Sequence, residues 1–140
     1  FEFNEYKETF DIVTMLGLIE FLTYDEIEAL FKKIYTSLKP GGTLIITTPN
    51  FNSFIYNLAE KLRLVNWGGK HKNKFNTARI EELFKNSPLK IVKQTKVLSY
   101  GILLSVISLK IGSLFNKIFE KGLLNTQGFL IVVELRKENP

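Results

Sequence analysis

One histidine, no cysteine and a polar stop after an apolar strand delimit the chemistry open to this chain. His71 is the single histidine, and the ordinary imidazole pKa suits a general base near neutral pH. It lies in a Gly-Lys-rich loop, where a solvated surface histidine is the plainer reading. The absence of cysteine removes disulfides, thiolate metal sites and a cysteine nucleophile. No second histidine exists to complete a metal site, so none is expected. The stretch Leu38 to Asn50, LKPGGTLIITTPN, is a helix end, a tight turn, an apolar strand and a polar stop. Open parallel sheets bind ligands outside the carboxyl ends of their strands, so Thr48 to Phe51 is the first place to look for a site. Pro49, Asn50 and Phe51 stand there; the Asn50 carboxamide could orient a ligand or simply form a turn. Gly17 follows another apolar run and permits a sharp exit or a close approach by a ligand.

These residues need elements to position them. Phe10 to Leu16, FDIVTML, is short, apolar and bounded by polar residues, which fits a strand buried on both faces. Thr23 and Glu26 have capping-box spacing, and Leu22 with Ile27 that of a hydrophobic staple. Ile27, Leu30, Phe31, Ile34, Tyr35 and Leu38 then make one helical face, closed by Pro40-Gly41. A strand over Thr43 to Thr48 completes a right-handed parallel crossover. Ser53 can cap a second helix, with Phe54, Ile55, Leu58, Ala59 and Leu62 on one side. Asn66 to Asn76 reads as loop, and a short helix from Asn76 or Thr77 carries Ile80, Leu83 and Phe84. Leu89 to Leu98 and Gly128 to Leu135 read as strands, with a polar tail from Arg136. The order is β-α-β-α-α-β-α-β, and an antiparallel pair at the sheet edge would suit the last two strands.

Ile102 to Phe119 is strongly apolar, interrupted by Lys110 and Lys117. A membrane-spanning helix needs roughly 20 consecutive apolar residues, and this run falls short. A buried or substrate-covering helix is the first reading, and an interfacial membrane helix the second.

At 140 residues and 45% hydrophobic, the chain is expected to be one globular domain, 1–140. Net charge is +5, distributed unevenly: eight acids and one base up to Phe31, then eighteen bases and six acids. The densest basic run is Lys61, Arg63, Lys70, Lys72, Lys74 and Arg79, with Trp67 and Phe75 interleaved. It could face a nucleic acid or a membrane surface, or be a solvated face; the nucleic-acid reading rests on this run alone. No GxGxxG follows a strand, which argues against a nicotinamide-binding enzyme. The first residues carry neither an initiator Met nor a signal peptide, so a cytoplasmic location and a chain cut from something longer are expected.

FDIVTMLGLIEFL, a helix, and then LKPGGTLIITTPN together resemble the C-terminal half of a class I S-adenosylmethionine-dependent methyltransferase. Within that family the likeness is nearest to the ubiquinone and menaquinone biosynthesis group. The resemblance implies an α/β, Rossmann-like sheet, incomplete at its N-terminal half, with an antiparallel last strand. Asn73 to Phe84, NKFNTARIEELF, resembles the segment before the family's sixth strand. The cofactor implied is S-adenosyl-L-methionine, with the Leu16 and Gly17 backbone at its methionine end and Leu18 and Glu20 lining the cleft. Glu20 could instead cap or solvate a loop, and Leu16 and Leu18 could be ordinary packing. Pro49, Asn50 and Phe51 would face a small or lipid-like methyl acceptor, residues 102–120 would be a substrate-covering insertion, and His71 is the candidate catalytic base. Two departures stand out. The family's glycine-rich loop and ribose-binding acid are not in these residues, and Phe21 stands where many relatives have His. The alternative is a non-catalytic, methyltransferase-like module that binds a partner or self-associates through an open sheet edge at Phe10 to Leu16.

Overall fold

A computed structural model describes residues 6–63, 71–98, 108–111, 113–114 and 128–138. The elements are β1 (Phe10–Leu16), α1 (Tyr24–Ser37), β2 (Leu38–Pro49), α2 (Phe54–Lys61), α3 (Thr77–Phe84), β3 (Leu89–Val97) and β4 (Leu130–Lys137). A single 3-10 turn, Ile19–Phe21, lies between β1 and α1.

Helix α1 forms for the reasons its sequence carries. The Thr23 side chain accepts from the Glu26 backbone N–H, while Glu26 accepts from the Thr23 N–H, so both halves of the capping box are made. Ile27, Phe31 and Ile34 are buried, and Leu22, Leu30 and Tyr35 pack against the same core. The helix ends at Ser37, earlier than Pro40-Gly41, and the chain passes directly into β2. The register then slips between Phe10↔Leu38 and Ile12↔Thr43, so Lys39 to Gly42 bulge opposite Asp11. Gly41 supplies the positive φ of +75° that this detour needs.

The sheet order is β1-β2-β4-β3. Strand β1 pairs with β2 in parallel, and β4 pairs antiparallel with both β2 and β3. Strand β3 therefore runs with β1 and β2, and the last two strands form the expected antiparallel pair at the sheet edge, with β3 outermost and β4 inside it. Ile131, Val133 and Leu135 of β4 are fully buried, as an interior strand requires, whereas β3 is mostly half-exposed. The core lies between the sheet and the helices and joins Met15, Ile19, Leu44, Ile46, Phe75, Ile80, Phe84 and Leu89 to the buried faces of α1 and β4.

Several expectations change. Strand β1 is not buried on both faces: Met15 points in, but Ile12 and Leu16 are 60% and 67% exposed. Among the described residues it is an edge strand, paired on one side only, with α1 packed on one face. Helix α2 turns Tyr56 and Ala59 inward and leaves Phe54 and Leu62 exposed, because Tyr56 packs against Phe51 and Phe129. Strand β4 extends through Lys137, two residues into the expected polar tail. Lys137 is buried because its ammonium donates to Leu38 O at 2.7 Å, meets Glu8 at 3.3 Å and lies 4.6 Å from the Tyr35 ring. The basic-run residues Trp67 and Lys70, and most of the apolar stretch 102–120, lie outside the described residues. Within that stretch Leu109 to Ile111 and Ser113-Leu114 are helical and exposed. Among the described residues no helix is long and apolar enough to cross a membrane.

Candidate functional site

The carboxyl ends of β1 and β2 lie side by side, and two short loops fold over them. Gly17 leaves β1 in the left-handed region, φ +60°, with its N–H bonded to Thr47 O at 3.0 Å. This turns the chain back across the end of β2. The 3-10 turn then places Glu20 beneath the loop, where it is only 3% exposed. Thr48 donates to Glu20 Oε2 at 3.2 Å. Burial pushes the Glu20 carboxyl above its ordinary pKa, and hydrogen bonds from backbone and Thr48 only partly oppose this.

A second loop is fastened to the first. Asn73 N–H donates to Glu20 O at 3.1 Å, and its carboxamide donates to Leu22 O at 2.6 Å. Phe51 N–H donates to Phe75 O at 3.0 Å, with the Phe75 ring fully buried. These bonds carry His71 onto the ends of the strands. Its ring lies 4.9 Å from that of Phe21 and 5.3 Å, edge-on, from that of Phe51. Desolvation lowers the His71 pKa; Glu60 opposes the shift and Lys74 adds to it. Burial thus favours the neutral imidazole.

The ring contacts continue from Phe51 to Tyr56 at 4.7 Å and from Tyr56 to Phe129 at 5.5 Å. The buried Tyr56 hydroxyl is pushed up to about 12, first by desolvation and then by the charges of Glu60 and Glu20. Phe21, His71, Phe51, Tyr56 and Phe129 therefore form one aromatic wall, with Glu20 and Thr48 beside it. Leu16 and Leu18 are exposed at the lip.

The structure brings Gly17, Glu20, Phe51 and His71 to the same end of the sheet. Asn50 has a structural use: its amide donates to Gly128 O at 2.9 Å, and its Oδ1 accepts from the Asn52 N–H. The turn reading of Asn50 is the one observed. Pro49 is buried at the end of β2, opposite Leu130. Sequence reasoning missed Tyr56 and Asn73. Tyr56 falls off the apolar stripe expected of α2, and no local pattern marks the Asn73 latch. Among the described residues no cluster of three or more His, Asp or Glu could hold a metal ion.

Residues 1–94 match the family model described as methyltransferase domain. Solved structures share the fold. A SAM-dependent methyltransferase from Archaeoglobus fulgidus aligns with TM-score 0.65 and 16% identity, over 96% of this chain and 63% of that one. A SAM-dependent methyltransferase from Thermotoga maritima, a possible histamine N-methyltransferase, aligns with TM-score 0.62 and 20% identity, over 94% and 58%. One from Methanosarcina mazei aligns with TM-score 0.58 and 14% identity, over 96% and 62%. The chain thus spans about three-fifths of the length of these structures. No curated protein matches it in sequence. The family match does not single out the quinone-biosynthesis group. With well over half its length matched by the family model, and its α/β sheet shared with solved class I enzymes, this chain belongs to the methyltransferase domain family.

Proposed function

We propose that this chain is the acceptor-side part of an S-adenosylmethionine-dependent methyltransferase, with His71 as the general base. The observation that carries the reading is the place of the His71 ring, against those of Phe21 and Phe51 at the carboxyl ends of β1 and β2. The lip at Leu16 to Leu18 fits the methionine end of the cofactor. Gly17 has no side chain there, and exposed Leu16 and Leu18 offer apolar contact. Nothing in the 140 residues matches the family's glycine-rich loop or ribose-binding acid, so the fit is to one end of the cofactor. When bound, S-adenosylmethionine supplies an electrophilic methyl group on a sulfonium.

The chain's own residues then do three things. Phe21 and Phe51 keep water from the reacting atoms. His71 accepts the proton that an acceptor O–H or N–H loses as its new bond to the methyl carbon forms. The Glu60 carboxylate favours the resulting imidazolium. The acceptor is small or lipid-like, consistent with the aromatic wall.

A second reading is a non-catalytic module that pairs with a partner through the open edge of β1, and the exposed Ile12 and Leu16 favour it. The two separate in a calorimetric titration with S-adenosylhomocysteine, on this chain and on one extended upstream of Phe1. Micromolar binding to either supports the enzyme. His71→Gln should then leave that affinity unchanged and lower kcat by about 100-fold or more. Absence of binding in both chains selects the module.

A further inference from the structure

Three residues just after His71 tie its loop to the rest of the fold. Lys72 meets Glu26 Oε2 at 3.1 Å, the same oxygen that accepts from the Thr23 N–H at 2.6 Å. The Asn73 N–H donates to Glu20 O at 3.1 Å, and the Asn73 carboxamide donates to Leu22 O at 2.6 Å. Phe75 O accepts from the Phe51 N–H at 3.0 Å.

The three ties are not equivalent. Phe75 is anchored by its own ring, which is fully buried in the core, and it holds the Phe51 side of the cleft. The Lys72–Glu26 pair is exposed at both ends, and such pairs contribute little and are screened by salt. The bonds of Asn73 differ in what they enclose. Glu20 and Leu22 flank Phe21, so Asn73 grips the chain on both sides of the ring that meets His71 at 4.9 Å. Asn73 is half-buried and stands two residues from His71, at most about 7 Å along the chain. Leu22 is the residue just before the Thr23 cap, so the imidazole is referred to the start of α1, a helix whose cap and core are both made.

We infer that Asn73 is a positioning residue for this site: by bonding to both neighbours of Phe21, it sets the register between the Phe21 ring and the His71 imidazole. Asn73 acts through His71. Its catalytic meaning rests on the methyltransferase reading above, in which an imidazole displaced by about 1 Å loses its geometry for proton transfer. The place of the ring does not depend on that reading. The charges acting on the imidazole are Glu60 of α2 and Lys74 of the same loop, while Lys72 is turned to Glu26.

Nuclear magnetic resonance reads His71 directly, because it is the single histidine of the chain. The native imidazole should show ring-current shifts, a nuclear Overhauser contact to Phe21 and a titration midpoint below the ordinary 6.5. Asn73→Ala keeps the backbone bond to Glu20 and loses the bond to Leu22. It should lose the Phe21 contact and most of the ring-current shift, and its midpoint should rise toward 6.5 as the ring meets water. Circular dichroism should show an unchanged fold, since the Phe75 anchor remains. Asn73→Asp keeps the shape and turns a second acceptor toward Leu22 O. Its charge moves any titration, so its readout is the Phe21 contact, which should also be lost. Lys72→Gln should leave all three signals in place. Two results overturn the inference: a native His71–Phe21 contact in either folded Asn73 variant, or a displacement by Lys72→Gln equal to that by Asn73→Ala. The first means that other contacts hold the ring, the second that the exposed ion pair does. None of these signals needs a cofactor, whereas titration with S-adenosylhomocysteine tests the methyltransferase reading, so the two fail separately.

Discussion

Glu20 sits under the loop after β1, where the Thr48 hydroxyl donates to its carboxyl. Its folded pKa is raised by burial, so the sign of its pH effect is set. Below its ordinary value of 4.5 the carboxyl is protonated in both the folded and the unfolded chain. As pH rises, the unfolded chain ionises first, and the stability that the neutral carboxyl contributed is lost through the folded pKa. Glu20→Gln keeps the shape and removes the titration. Urea midpoints of the two proteins, measured between about pH 4 and pH 8, should converge at the acid end and separate in favour of the Glu20→Gln variant as pH rises. Parallel curves would rule out the buried carboxyl as their source. Glu20 was legible as a site residue through resemblance. Its burial was not, because that depends on a 3-10 turn closing over the end of β2, where Thr48 lies 28 residues further along the chain. His71 was legible only as the sole histidine. What holds it, Phe21, Phe51 and the Asn73 latch, comes from contacts between segments that no local spacing records.

Helix caps were the most readable elements, since Thr23, Ser53 and Asn76 each accept a backbone N–H within three residues. Such bonds are local and follow from residue type. Which face of α2 points inward was misread because Phe54, Ile55 and Leu58 outrank Tyr56 in hydrophobicity, yet Phe51 and Phe129 await the tyrosine ring. An apolar run such as FDIVTML marks a strand but cannot say whether that strand is central or at an edge. The pairing of β4 with β3 rests on an unremarked glycine. A Cβ at Gly128 would lie 2.7 to 2.8 Å from Lys96 and the Val97 backbone. Gly128→Ala should therefore push the two strands apart and cost about 1–3 kcal/mol. Guanidinium unfolding measures this, and a loss below about 0.5 kcal/mol would show that the strand ends yield without strain.

At the scale of the molecule, one crossover and the parallel β1–β2 pair were evident from the order of elements. The interior place of β4 was not, because alternation suits either position in a sheet. The open edge of β1 is the most consequential global feature. Among the described residues nothing pairs with its outer backbone, next to exposed Ile12 and Leu16, in a chain that spans about three-fifths of the length of its solved relatives. Such edges pair with further strands, and lysine on the strand suppresses pairing. The 140-residue chain should self-associate as concentration rises, and Ile12→Lys should return it to monomer in sedimentation velocity. A monomer at all concentrations would mean that the edge is already guarded.

The start and finish of the β3–β4 connection have a consequence for how such a protein changes over time. Leu98 exits β3 in a left-handed conformation, φ +57°, and its carbonyl accepts from Phe129. Phe129 in turn accepts from the Asn50 N–H at 2.8 Å, and Asn50 holds Gly128. These fastenings use none of the residues between 98 and 128. Closing a longer segment costs only about 0.6 kcal/mol per doubling of its length. The pairing of β3 with β4 should therefore tolerate a change in the length of the span that joins them.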